Sequence, residues 1–196
     1  MTMIFEYYPG ATPLDPDELS GLIPSHITTR EELDRWEQDN ILEADVWAFR
    51  CSYKNVFTIE FIKLLHKKMF GNVWKWAGTF RKTEKNIGVL VWEITSELTK
   101  LCDDVQAWIE YKSFLPDEIV VRFHHRLVWI HPFANGNGRH ARMMADIILV
   151  CMYNATRFTW GGDNLIQPTE CRQEYIQALR SADNHNYEPL MRFVRS

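Results

Sequence analysis

The chain is 196 residues long, 46% hydrophobic and 24% charged, enough for one substantial core and outside the disordered and fibrous classes. Its 22 Lys and Arg against 26 Asp and Glu give a net charge of −4. That balance supplies no general attraction for nucleic acid or an anionic membrane, though it leaves room for a local anion site. The longest apolar run, Ile147–Tyr153, is far short of the about twenty residues of a membrane span. Met1–Gly10 carries Glu6 and lacks a basic stretch followed by an apolar one, so no secretory leader is expected. Cys51, Cys102, Cys151 and Cys171 lie far apart, without metal-ligand spacing. These features together lead us to expect a cytoplasmic domain.

In chain order, Pro9, Pro13, Pro16 and Pro24 make the first segment an irregular arm laid on the body, because proline removes donors and blocks helix interiors. A helix is expected from Thr28 or Thr29, with Glu31 and Glu32 at its start and Leu33, Trp36, Ile41 and Leu42 as apolar positions. A second starts near Thr58, carries Phe61, Ile62, Leu65 and Met69 at helical spacing, and stops at Gly71. Between Gly78 and Ile94 the pattern is short and β-branched, and residues 86–92 are expected to form a small hairpin. Helical periodicity resumes at Leu98, Leu101, Val105 and Trp108. Another helix opens at Pro116, with Asp117 and Glu118 in its first turn. Residues 139–153 are apolar on nearly all sides and belong at the centre of a bundle. After Gly161-Gly162, Pro168–Ala182 and Tyr187–Val194 read as two closing helices. The expected class is all-α, a helical bundle with one small β element.

Residues 131–142, His-Pro-Phe-Ala-Asn-Gly-Asn-Gly-Arg-His-Ala-Arg, concentrate the chemistry. Pro132 ends the preceding helix and leaves His131 at its terminus. Gly136 and Gly138 flank Asn137 immediately before the central helix. A glycine-bearing loop feeding a helix N-terminus collects unpaired N–H groups and the positive end of the dipole, which together bind anions. Arg139 and Arg142 oppose that dipole unless a phosphate or carboxylate lies between them. The plainer alternative pairs each arginine with an internal acid. His124, His125 and His140 lack HExxH-type spacing, so capping and packing account for them better than a metal does. Lys63, Lys67 and Lys68 read as a solvated helix face.

The stretch from His131 to Arg142 resembles the signature of the Fic family. Trp76-Ala77-Gly78-Thr79-Phe80-Arg81 and the segment after it look like that family's approach to its target-binding flap. The likeness covers about residues 55–194, and the whole chain is especially similar to the subgroup called mobile mystery protein B. The resemblance implies a Fic-type core over residues 55–196, with residues 1–54 as an arm and helix. It also implies transfer of AMP from ATP to a hydroxyl of a target protein, with release of pyrophosphate. His131 would then be the general base and Phe133 the anchor of the loop. Gly136, Asn137 and Gly138 would cradle the α- and β-phosphates, with Arg139 near the β- and Arg142 at the γ-phosphate. Ile87, Gly88 and Val89 would receive the target backbone as an added strand.

Asn135 is the single departure, standing where the family has an acid that helps hold Mg²⁺. An amide ligates a hard cation without supplying charge. A related phosphotransferase, a hydrolase that removes AMP, and a silent nucleotide-binding regulator therefore remain open. By the same resemblance, the N-terminal helix would carry an inhibitory glutamate that restrains Arg142, Glu37 first and Glu32 second. The expected partner is a target protein of unknown identity. Nucleic acid and membrane are not expected, and the oligomeric state is left open, a homo-oligomer included.

Overall fold

The computed structural model describes residues 14–50, 56–162 and 170–196. Within them the chain forms helices α1 (Pro16–Leu19), α2 (Arg30–Arg50), α3 (Ile59–Phe70), α4 (Ile94–Glu110), α5 (Pro116–Ile130), α6 (Asn137–Tyr153), α7 (Glu170–Asp183) and α8 (Glu188–Phe193). A 3₁₀ turn over Val91–Glu93 leads into α4. Local chemistry explains the boundaries. The Thr58 hydroxyl accepts the Phe61 N–H at 3.1 Å to start α3, and Gly71 caps its end. Pro116 occupies the first turn of α5, where its missing N–H is harmless. Glu32 and Thr29 form a reciprocal cap at the head of α2: the Glu32 carboxylate accepts the N–H groups of Thr28 and Thr29, and Thr29 Oγ1 accepts that of Glu32.

The most apolar helix, α6, lies at the centre, packed on α2, α3 and α5. Its Ala141, Met144, Ala145, Ile147, Ile148 and Leu149 are fully buried. The arm is tied to the body by polar contacts. Lys85 Nζ reaches Asp15 at 2.8 Å and Glu18 at 2.6 Å, the Trp76 indole donates to the Glu18 carbonyl, and Leu22 pairs with Trp74 in an isolated β-bridge. The Lys85 hydrogen bond, with a second from Thr83, holds the Asp15 carboxyl below its usual range. No helix among the described residues is long and apolar enough to cross a membrane.

One expectation needs revision, and part of another lies outside the described residues. No strand pairing spans residues 86–92, which form an irregular loop ending in the 3₁₀ turn. The groups a hairpin would pair are engaged elsewhere: Val89 donates its N–H to the Ile130 carbonyl, and its own carbonyl accepts from Arg81. The last long helix is described from Glu170, and the Pro168 start expected for it falls outside the described residues, as do Cys51, Pro9 and Pro13.

Three fully buried histidines lie in this core. His124 bonds the Tyr175 hydroxyl at 2.9 Å, His140 the Ile62 carbonyl at 2.9 Å, and His66 bridges two loops. Burial, above all, pushes His124 and His140 down to about 3, and His66 well below its ordinary value of 6.5. Folded-state values under the unfolded value mean that the unfolded chain binds more protons as pH falls below about 6.5, so stability drops with it. Asp146 works the other way. Burial raises its carboxyl to about 6, so above the unfolded value of 3.8 it costs stability that is recovered as pH falls through 6. His125 and His131 are lowered by burial as well, so five histidines against one carboxyl set the net sign. Stability should fall between pH 6.5 and 5, by up to about 1.4 kcal/mol per pH unit for each histidine. Urea unfolding at several pH values checks this, and an unchanged midpoint over that range would contradict it.

Candidate active site

The connection between α5 and α6 leaves one helix and enters the next through left-handed backbone at both ends. His131 caps α5 at φ 53°, and Gly136 precedes α6 at φ 77°. A Cβ on Gly136 would lie 2.6 Å from the Phe70 ring, so this turn admits only glycine. Between them Phe133 is fully buried, stacked on His66 with centroids 3.7 Å apart, and it anchors the loop. The Asn137 side chain clasps the Phe133 backbone, accepting its N–H at 2.9 Å and donating to its carbonyl at 2.8 Å. The amide of Asn137 is thus an internal brace, which leaves its main chain to serve a ligand.

A second clamp comes from Arg81, which is buried below the loop. Its Nε donates to the His131 carbonyl at 2.8 Å and its backbone N–H to the Pro132 carbonyl at 2.9 Å. Its guanidinium also donates to the carbonyls of Thr83 and Val89, and it pairs with Glu84. Glu84 in turn accepts the Val91 N–H at 3.0 Å. One guanidinium therefore sets residues 83–91 against His131. Gly88, at φ 106°, packs so closely that a Cβ would be 2.8 Å from that of His131. Ile87 and Gly88 are exposed, whereas Val89 is buried and its backbone is engaged internally, so it has no free group to offer a target strand.

The His131 ring is buried and bonds the Val128 backbone. Burial first, then the charges of Arg81 and Lys85, lower it to about 4. At neutral pH it is an uncharged imidazole able to take a proton.

At the head of α6, Gly136 brings no side chain to cap the first-turn N–H groups. These have no acceptor within the helix, and they point with the dipole towards an anion. Nothing lies within 4 Å of where a Cβ on Gly138 would be, so packing makes no demand for glycine there. The two arginines differ sharply. Arg139 Nη1 lies 2.7 Å from Glu37 Oε2, off the line of its N–H bonds, making an ion pair rather than an aligned hydrogen bond. The other Glu37 oxygen accepts the Trp74 indole N–H at 2.6 Å. Arg142 has no carboxylate in ion-pair range among the described residues and lies over the Tyr175 ring, 5.7 Å from its centroid. Burial lowers its pKa, and the charges of Arg139 and Arg172 act in the same direction. Glu37 therefore reaches the first arginine of the motif, not the second as expected. α2 crosses the head of α6, and Arg142, three residues further on, faces Tyr175 of α7 instead. Glu32, exposed and engaged in the helix cap, makes no contact with either.

Asn135 Oδ1 accepts the Gly136 N–H at 2.7 Å. No group of three His, Cys, Asp or Glu among the described residues could hold a metal. A single neutral oxygen, already hydrogen-bonded, does not fit the carboxylate-assisted coordination that Mg²⁺ prefers. His124, His125 and His140 bond Tyr175, Asp183 and Ile62 respectively, which are packing and capping roles. His66 and Arg81 are the positioning groups that motif reasoning missed. A buried histidine on an otherwise apolar helix face and an arginine following Gly78 were the available signals.

The model of the Fic/DOC family matches residues 56–149. These residues form a Fic/DOC-family domain. The chain is 29% identical over 141 residues to protein adenylyltransferase fic-1 of Caenorhabditis elegans, covering 70% of this chain and 26% of that one. It is 30% identical over 141 residues to protein adenylyltransferase Fic of Drosophila willistoni, covering 70% and 27%. It thus spans about a quarter of the length of the curated relatives it matches. The fold is similar to that of the Bartonella tribocorum effector BepC, solved with bound AMPPNP, at TM-score 0.66 and 18% identity, covering 91% of this chain and 95% of that one. It is also similar to a Fic-1 fragment of C. elegans, at TM-score 0.63 and 24% identity, covering 91% and 51%.

Within this Fic domain, Arg81→Lys keeps the charge but cannot serve three carbonyls at once. At least one carbonyl among buried His131 and Val89 and exposed Thr83 loses its donor, and the variant should be destabilised by up to roughly 1–3 kcal/mol. Chemical unfolding measures the loss, and faster amide exchange at Val89 should accompany it. Wild-type stability would show that the clamp is dispensable.

Proposed function

We propose that this chain is a protein adenylyltransferase, moving AMP from ATP to a hydroxyl side chain of a target protein and releasing pyrophosphate. The observation that carries the reading is a neutral, clamped His131 on the same loop that opens an uncapped, arginine-flanked helix terminus. The target hydroxyl gives its proton to His131 as its oxygen bonds the α-phosphorus. The bond from that phosphorus to the bridging oxygen breaks, and pyrophosphate leaves. First-turn N–H groups from Asn137 to Arg139 meet the developing phosphate charge. Arg142 takes the γ-phosphate and Arg139 the β-phosphate region, while exposed Ile87 and Gly88 meet the target backbone. The names of the C. elegans and D. willistoni relatives support this chemistry.

ATP labelled in turn at the α- and γ-phosphates, incubated with the protein and a cell lysate, tests the reading. Label from the α-phosphate on protein is expected. Label from the γ-phosphate alone would indicate phosphotransfer, and binding without label a regulator. His131→Ala should lower the transfer rate by about 10²–10⁴-fold while leaving nucleotide affinity nearly unchanged; full activity in that variant would remove His131 from the mechanism.

In the resting protein, Glu37 ties up Arg139 and so competes with phosphate for it. Trp74 holds the carboxylate in place for that competition. Glu37→Gly should therefore raise self-modification severalfold over wild type in the labelled-ATP assay. Equal or lower labelling would mean that α2 exerts no restraint.

A further inference from the structure

His66 is fully buried on α3, and its two ring nitrogens face two different loops. Nδ1 accepts the Gly78 N–H at 3.0 Å, and Nε2 lies 3.0 Å from the Asn135 carbonyl oxygen. A backbone N–H can only donate and a carbonyl can only accept. The surroundings therefore select one form of the ring, the neutral tautomer with Nδ1 bare and a proton on Nε2. Gly78 delivers its N–H from φ 78°, where a Cβ would be 2.8 Å from both the Lys63 carbonyl oxygen and Lys67 Cβ. This turn too is restricted to glycine.

The accepting carbonyl has a particular place. The C=O of Asn135 and the N–H of Gly136 belong to one planar peptide, so fixing the oxygen fixes the direction of the N–H. That N–H meets Asn135 Oδ1, and the next residue opens α6. We propose that His66 is a positioning residue for the anion-binding loop: its Nε2–H, its tautomer imposed by Gly78, holds the 135–136 peptide so that the first-turn N–H groups of α6 face the phosphates. The role rests on the adenylyltransferase reading only for the identity of the anion. A purely packing role would use the ring's stack on Phe133 and be indifferent to the nitrogens.

Two variants separate these roles. A glutamine amide reaches the place of Nε2 and can still donate to Asn135, whereas an asparagine amide reaches only the place of Nδ1. Both lose the aromatic stack, so the difference between them reports the hydrogen bond. In calorimetric titration with ATP, His66→Gln should bind within about threefold of wild type and His66→Asn about tenfold more weakly. Equal losses would overturn the proposal. The amide NMR positions of Gly136 and Gly138, read without nucleotide, should stay near wild type in His66→Gln and move in His66→Asn; equal displacement in both would also overturn it. Should the wild-type protein not bind ATP, the nucleotide reading fails while these amide positions still decide the role of His66. The wild-type ring supplies a measurement independent of the variants. Long-range ¹⁵N NMR at neutral pH should find Nε2 protonated and Nδ1 bare, and a proton on Nδ1 would refute the proposal even if neither variant folds.

Discussion

The connection from α5 to α6 must turn in a few residues through left-handed backbone at each end, while burying Phe133 and Ala134. Such a segment cannot satisfy its own main chain by regular pairing, and each buried group left alone costs about 1–3 kcal/mol. Side chains from outside therefore finish it: Arg81 at the His131 end, Asn137 at Phe133, and His66 at Asn135. Much else follows from that requirement. α3 must run beneath the loop to supply His66. The chain after α3 must return at Gly78 and Arg81. The loop over residues 83–91 rests on the same guanidinium.

Charge is distributed unevenly over the head of α6. Two arginines and the helix dipole place positive potential there, and among the described residues only Glu37 makes an ion pair with either arginine, on Arg139. Arg142 is desolvated without an ion pair among the described residues, and the more distant charge of Asp146 favours its guanidinium. Burying a guanidinium this way is costly unless something anionic completes the site. The asymmetry also bears on how α2 acts. On the adenylyltransferase reading, a carboxylate on Arg139 would compete for the inner end of a bound polyphosphate and leave the outer arginine open.

Much of the scaffold was legible because it is local. Thr58, Gly71 and Pro116 mark boundaries that the helices obey, and the apolar run after Arg142 identified the central helix. The motif was legible for the same reason, since glycines, asparagine and arginine within a dozen residues carry their chemistry with them. The segment 86–92 misled because β-branched composition reports that residues can pair, not that a partner strand exists. Here Arg81 and Ile130 engage the Val89 backbone first. Glu37 was singled out through the family resemblance of its helix, but which arginine it meets depends on the angle at which α2 crosses α6, and no spacing in the chain encodes that. His66 and Arg81 act across 69 and 50 residues of sequence, so they emerge only when the elements are assembled.

The N-terminal segment touches the site from both sides, through Asp15 and Glu18 on Lys85 and through Glu37 on Arg139. Its two contacts act on different quantities. Glu37 occupies Arg139, a phosphate ligand on the proposed reading. Asp15 and Glu18 fix an ammonium whose charge, after burial and Arg81, depresses the His131 ring to about 4. A base so weak is neutral and available at pH 7 but has little drive to take a proton. An anion bound at the head of α6 opposes Arg81 and Lys85, because a nearby negative charge favours the imidazolium. On the adenylyltransferase reading, a polyphosphate at Arg142 would also strengthen the base beside it. On that reading binding and activation would be one electrostatic event, with His131 kept in its left-handed position.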